Sequence, residues 1–307
     1  MNSFPMLYSF PQKTLVILSA MLLTCSNEVV YHPDFPYSIN EPDAAFELPG
    51  ELREISGLSL CDDGEHLVAH NDEEGTIFVL SKQDGKVERK IDFWDDGDYE
   101  GIEVVGDDAF VIKSNGNIYQ VKNFLKDEHP QTIKHSSFLN KENDVEGLGY
   151  DPARNALLVG CKGKGFHDDG SKMKKAIYAF TLDRMEMESQ PVYVLSLEDI
   201  QHLLEHYPEG KAHKKICETF APGTNQMRFN PSAIAVHPLN GNVYLTSSTG
   251  KMLMVMDHEG HLLFIEKFKK SVHPQPEGLC FDKDGTLYIA NEGKDGKGRI
   301  YRFAYRN

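Results

Sequence analysis

Three glutamates in this 307-residue chain, Glu100, Glu146 and Glu277, each stand directly before a glycine at the start of an apolar run. The runs read Tyr99-Glu100-Gly101-Ile102-Glu103, Val145-Glu146-Gly147-Leu148-Gly149 and Pro276-Glu277-Gly278-Leu279-Cys280. Two more have the same form with serine in the glutamate's place: Ile55-Ser56-Gly57-Leu58-Ser59 and Pro231-Ser232-Ala233-Ile234-Ala235. A fold that brings these positions together sets three carboxylates in a partly dehydrated space, where they repel unless compensated. A hard divalent cation is the simplest compensation. Calcium accepts mixed carboxylate, hydroxyl, carbonyl and water ligands, whereas magnesium keeps more of its own water and demands tighter geometry. Two other answers stand beside it. Lys113 and Lys162, at the ends of the second apolar runs of two of these units, would neutralise the ring as ion pairs, or the space is simply polar and wet. Ser56, Asn71, Asp72, Ser232 and Glu292 are further candidates at the same mouth. Turn capping competes for Asp72, and close backbone approach is the competing reason for each glycine.

Other chemistries find little support. No GxSxG elbow is present, and the chain lacks GxxxxGK[ST]. Asp282-Lys283-Asp284-Gly285 lacks the remaining ligands of a calcium loop and reads as a hairpin turn. His202 and His206 share a helix face, but no HExxH surrounds them, so they read as surface histidines. Cys61, Cys161, Cys217 and Cys280 form no CxxC pair, and Cys161 and Cys280 sit in apolar runs as small buried hydrophobes. A formal net charge of -15 repels phosphate backbones, which excludes nucleic acid as a partner and leaves cations, a protein or a small ligand.

The elements that must position the glutamates recur along the chain. After each opening comes a second apolar run (HLVAHN, AFVIKSN, ALLVGCK, NVYLTSS, TLYIANE) and then a third (GTIFVLS, GNIYQVK, KAIYAFT, GKMLMVM, GRIYRFA), with turn sequences such as DDGE and DKDG between the first two. Successive openings lie 44, 46, 86 and 45 positions apart. A period of about 45 residues with three or four short strands is that of a β-propeller blade. Five openings predict an all-β, five-bladed propeller over 44–307. The long interval leaves six blades as the alternative. Residues 185–229 contain Ser196 ahead of Leu197, Ile200, Leu203 and Leu204, a capped short helix, and read as an insertion in the third blade. The last unit lacks a fourth strand, which residues 44–48 are placed to supply. In a propeller the first strands line the axis, so the glutamates converge.

Ahead of the propeller, residues 14–23 (TLVILSAMLL) follow Lys13 and precede Thr24-Cys25. Ten apolar residues are too short to span a bilayer and read as a signal peptide over 1–25. Its end is similar to the lipobox of bacterial lipoproteins, with Cys25 as the lipidated residue; plain secretion and an uncleaved anchor are the alternatives. Polar, Pro-rich residues 26–43 read as a tether. The protein is then expected to be exported and held by lipid in the bacterial cell envelope, on the periplasmic or outer face.

The motifs ISGLS (55–59), HNDEEGTIFVL (70–80), DYEGIEV (98–104), NDVEGLGYDP (143–152), NPSAIAVHP (230–238) and QPEGLCFDKDGTLYIANE (275–292) resemble those of the SdiA-regulated family of exported bacterial proteins, distantly similar to NHL-repeat propellers. The resemblance covers about residues 44–305. It implies a five-bladed propeller with a bound calcium ion and a role in protein interaction. A weaker likeness is to phytase-like esterase propellers. The sequence therefore predicts a calcium-binding module for a protein or small ligand rather than an enzyme, with a metal-dependent phosphoesterase as the alternative.

Overall fold

The structure, a computed structural model, describes Met1 and residues 35–166, 172–207, 211–294 and 296–306. The signal-peptide and Cys25 expectations lie outside the described residues. Five antiparallel sheets are arranged as the blades of a propeller. Blade one holds β2 (Ile55–Leu60), β3 (His66–Asn71), β4 (Thr76–Ser81) and β5 (Val87–Asp92). Blade two holds β6 (Tyr99–Val105), β7 (Asp108–Lys113), β8 (Ile118–Val121) and β9 (Thr132–His135). Blade three begins with β10 (Val145–Asp151), β11 (Ala156–Cys161) and β12 (Lys174–Thr181). Blade four holds β15 (Ala233–Val236), β16 (Val243–Ser247), β17 (Met252–Met256) and β18 (Leu262–Lys267), and blade five β19 (Pro276–Phe281), β20 (Leu287–Asn291) and β21 (Arg299–Phe303). The first strands β2, β6, β10, β15 and β19 pack side to side in a ring that closes on itself.

Ring closure takes the expected form. β1 (Ala44–Glu47) pairs antiparallel with β21, Ala45 opposite Tyr301 and Phe46 opposite Ile300. The first chain segment thus completes the last blade. Phe46, Leu48 and Leu52 join Ile55, Leu58 and Ile300 in the core between blades five and one.

The 86-residue interval is an insertion and not a sixth blade. The outer strand of blade three is split: β13 (Glu186–Met187) and β14 (Tyr193–Ser196) pair with different stretches of β12. The chain then forms α1 (Leu197–Glu205) and α2 (Lys211–Thr219) before blade four. Ser196 caps α1 with a capping box closed by Asp199. Leu197, Ile200, Leu203 and Leu204 bury its inner face against Ile265 and Leu262 of β18 and their neighbours. α2 is as amphipathic as α1 but carries Ile216 as its one large apolar side chain, so the sequence shows one helix here and not two.

Of the segment read as a tether, residues 35–43 are described, and they pack across blades four and five. Phe35 stacks on Phe264 with ring centroids 4.0 Å apart, and Tyr37 and Ile39 are buried. Two buried histidines hold this strap. His237 Nδ1 accepts from the Leu239 amide, so Nε2 carries the proton and donates to the Tyr37 hydroxyl, which donates to Gly285 O. His273 Nδ1 accepts from Asn291 and its Nε2 donates to Ile39 O. His237 is otherwise walled by Tyr244, Phe281 and Tyr305, and His273 by Phe268, Tyr301 and Phe303; among the described residues no carboxylate bonds to either ring. Both rings are neutral, and burial pushes each from 6.5 down to about 4. The unfolded chain binds the extra protons first, so these rings lend stability above pH 6.5 that is lost as pH falls towards 4, on the order of 3 kcal/mol per histidine. The urea midpoint should therefore drop between pH 7 and pH 4.5 more steeply than in His237→Gln/His273→Gln. Equal slopes in the two proteins would reject the clamp.

Candidate functional site

A local irregularity aims the glutamates. In blades one, two, three and five the first strand carries a β-bulge: Ile55 pairs with Asn71 and Gly57 with His70; Tyr99 with Lys113 and Gly101 with Ile112; Val145 with Cys161 and Gly147 with Gly160; Pro276 with Asn291 and Gly278 with Ala290. The skipped residues are Ser56, Glu100, Glu146 and Glu277. A bulged residue leaves the ladder and re-aims its side chain, here into the channel. The glycine that follows is forced by crowding. A Cβ on Gly147 would stand 2.6 Å from Ile234 Cγ1, and one on Gly278 2.7 Å from Leu58 Cβ. The next blade's first strand comes that close.

The same pairing defines a second tier. The partners of the residues before the bulges are Asn71, Lys113, Cys161 and Asn291, and one position further along lie Asp72, Ser114, Lys162 and Glu292. Blade four, with Ala233 opposite Thr246, places Ser248 in that position. Most of the two tiers meet at one end of the channel in a cavity of about 510 Å³. Its lining is polar throughout: Ser56, Asp72, Glu100, Glu146, Glu277 and Glu292 from the tiers, with Lys162 and Ser248, and Thr249, Lys251, Gln275 and Lys294 from the loops of blades four and five.

Three sequence candidates are placed elsewhere. Lys113 shares the blade face of Tyr99, and its Nζ lies 4.4 Å from the Tyr99 ring centroid and 5.4 Å from that of Tyr119. It belongs to the position before the tier, so it does not neutralise the ring. Asn71 is turned outward by the same offset and bonds Glu51 O and Glu74. Ser232 is buried and donates to Pro276 O of the neighbouring first strand. Counting one residue past the bulge partner would have found Ser248. Thr249 and Lys294 lie between the repeated runs, Lys251 and Gln275 lie at the edges of two of them, and none of the four carries such a mark.

The electrostatics of the mouth are strained. Burial, with Glu146 and Asp98 nearby, pushes Glu100 up to about 9 against the pull of Lys162. Burial raises Glu146 as well, opposed by its ion pair with Lys162 Nζ. Glu277 is driven far above the carboxylate range by burial and by Glu146 and Glu292, and Ser248 opposes this weakly. Burial also raises Asp72 and Glu292. For Lys162, burial disfavours the charge, but Glu146, Asp144 and Glu100 hold the ammonium above its ordinary value. Lys162 thus forms an ion pair with one glutamate of the three. Glu146 Oε2 and Asp72 Oδ1 are buried with no hydrogen-bond partner. An orphaned carboxylate oxygen facing a polar cavity is what an oxygen-ligated cation requires, so the donor set fits calcium.

Among the described residues, the groups of three His, Cys, Asp or Glu side chains whose ligating atoms lie within 4.8 Å of one another are His202–Glu205–His206 and Asp257–Glu259–His261, both on the surface. The channel carboxylates stand wider apart than that. At the opposite end of the channel a second cavity of about 490 Å³ contains Glu103. Its oxygens are satisfied by Ser59 Oγ at 2.6 Å and by the amides of Val104 and Tyr150, each at 3.1 Å.

The sequence profile of a family described as SdiA-regulated matches residues 28–164 and 184–295. No curated protein matches in sequence. Among solved structures, similarity is found to a luciferin-regenerating enzyme (TM-score 0.49, 13% identity, 86% of this chain and 95% of that one). It is found also to a gluconolactonase from Xanthomonas campestris (0.48, 13%, 81% and 72%). A third is a virginiamycin B lyase from Staphylococcus aureus (0.44, 14%, 84% and 69%).

Proposed function

The chain belongs to the SdiA-regulated family, and we propose that it is an exported, calcium-binding propeller that presents its channel mouth to a ligand, without catalysing a reaction. The observation that carries this reading is the set of bulges that turn Glu100, Glu146 and Glu277 into one polar cavity, with a buried Glu146 oxygen left unpartnered. Glu100, Glu146, Glu277, Asp72 and Glu292 are the candidate ligands. Their spacing leaves room for water to complete the ion's shell. Cys25 is the proposed lipidation site; palmitate labelling that persists in Cys25→Ala would reject it.

Calcium must displace protons from carboxyls held above their ordinary range. Its affinity should therefore rise with pH up to about 9, where Glu100 is ionised. Calorimetry in two buffers of different ionisation enthalpy should show proton release at pH 7. A binding isotherm that is independent of pH and buffer would count against Glu100 and its neighbours as ligands. Elemental analysis should find about one calcium per chain.

A phosphoesterase is the second reading, and one observation favours it: three lysines, Lys162, Lys251 and Lys294, border the cavity. Turnover of phosphomonoesters or phytate, abolished by EGTA and by Glu146→Gln, would replace the binding reading with this one.

A further inference from the structure

The cavity is divided by charge. Lys162 is ion-paired with Glu146, whereas Lys251 and Lys294 stand on the side of blades four and five with no carboxylate bonded to them among the described residues. Lys251 Nζ donates to two backbone carbonyls, Ser248 O at 3.2 Å and Pro274 O at 2.6 Å, and so is held in place without an ion pair. Burial lowers it first, and the nearby ammonium groups of Lys294 and Lys270 lower it further, with Glu277 pulling the other way. These two lysines are the only ones with positive φ among the described residues, 50° for Lys251 and 33° for Lys294. A β-carbon makes that backbone unfavourable, and such positions persist where the surroundings enforce them. Beside them lie the hydroxyl of Thr249 and the amide of Gln275, and no aromatic or aliphatic side chain lines the cavity.

Outside the mouth the cationic side continues. Thr249 and Lys251 also border a surface groove in which Lys214, Lys215, Lys267, Lys269 and Lys270 outnumber Glu218 and Glu266. On a chain of net charge -15 this groove is a lane by which an anion can approach.

We propose that the mouth binds a small polyhydroxylated anion whose oxyanion group sits between Lys251 and Lys294 and the channel cation, with its hydroxyls on Thr249, Gln275, Ser248 and Ser56. This rests on the calcium reading of the same site. Five carboxylates line the cavity against three lysines. Without the cation the mouth is net negative and repels an anion; with it, the ion and the three lysines together balance the five carboxylates, and an anion's head can settle on the cationic side against no net charge. Lysine and calcium are both point charges without fork geometry, so phosphate and carboxylate heads satisfy the same chemistry.

The test begins with calcium alone, titrated into metal-free protein. Glucose 6-phosphate, glucuronate and glucose are then titrated into the calcium-loaded protein. At least one of the two anions should bind and glucose should not, and EGTA should abolish the binding. Whichever anion binds more tightly identifies the head group. Lys251→Met/Lys294→Met should weaken the anion at least tenfold while calcium affinity rises, because two like charges have left the ion's surroundings. Lys251→Arg/Lys294→Arg should retain binding. Calcium binding with no binding of either anion, or with equal binding by the methionine variant, overturns the proposal and leaves the calcium reading standing. Failure of the first titration overturns both, and is seen before any anion is added.

Discussion

Calcium at a hundred times its dissociation constant is expected to raise the melting temperature of the metal-free protein by about 5–10 °C. A ligand at that excess adds about 2.7 kcal/mol to stability. For a domain of this size each kcal/mol moves Tm by about 2–4 °C. Glu277→Gln is expected to remove most of that rise and, at the same time, to leave the metal-free protein at least as stable as the native chain. The two effects have opposite signs because of where Glu277 sits. Among the described residues no lysine forms an ion pair with it, and burial with Glu146 and Glu292 drives its carboxyl far above the usual range against the more distant pull of Lys162. Such a group favours the folded state below its unfolded pKa and penalises it progressively as pH rises through the folded value. The neutral amide of similar shape removes that penalty together with the ligand. Relative to the glutamine variant, in which the histidine contribution is the same, metal-free native protein should accordingly lose stability as pH rises above about 4.5. Melting curves in EGTA and in calcium at pH 6 and pH 8 measure all of this. If the calcium-induced rise is the same in Glu277→Gln as in the native protein, Glu277 is not a ligand.

Phe46→Ala is expected to cost about 3 kcal/mol or more, because a large buried aromatic is exchanged for a cavity. Phe46 is 8% exposed and packs between the last blade and the first. It lies on β1, the strand that completes the last blade from the other end of the chain, so the loss should spread through the closure and not stay local. Hydrogen exchange is the sharper reading. Amides of β21 that pair with β1 should lose protection in Phe46→Ala before those of the innermost strand β19 do. Uniform loss of protection across the last blade would mean that the ring unfolds as one unit and that β1 has no separate role as a clasp.

Much of the fold was legible because a propeller repeats. The polar-glycine openings and their period of about 45 residues identify the blades. The missing fourth strand of the last unit, with AAFEL ahead of the first, identifies the closure. The capping box at Ser196 was readable because it is local chemistry between residues three apart. The second helix, the split outer strand β13 and β14, and the docking of Phe35, Tyr37 and Ile39 were not readable. Each depends on contacts with residues far away in sequence, such as Phe264 and His237. The apolar residues before the propeller look like any Pro-rich linker until a groove between two blades is there to receive them.

The candidate site divides in the same way. The sequence by itself determined that Glu100, Glu146 and Glu277 occupy one repeated position, since the spacing and the following glycine are local and recurrent. Only the tertiary structure decided which neighbours share the cavity with them. The bulge shifts the pairing by one residue, so Asp72, Lys162 and Glu292 face the channel, while Asn71 and Lys113, a single position earlier, face away. A shift of one residue in a strand moves a side chain to the other face, and a bulge is visible only in the ladder it interrupts. The lysines of blades four and five reach the same cavity from turns at positions the other blades do not mark, so it took ring closure to set Lys251 and Lys294 opposite the glutamates.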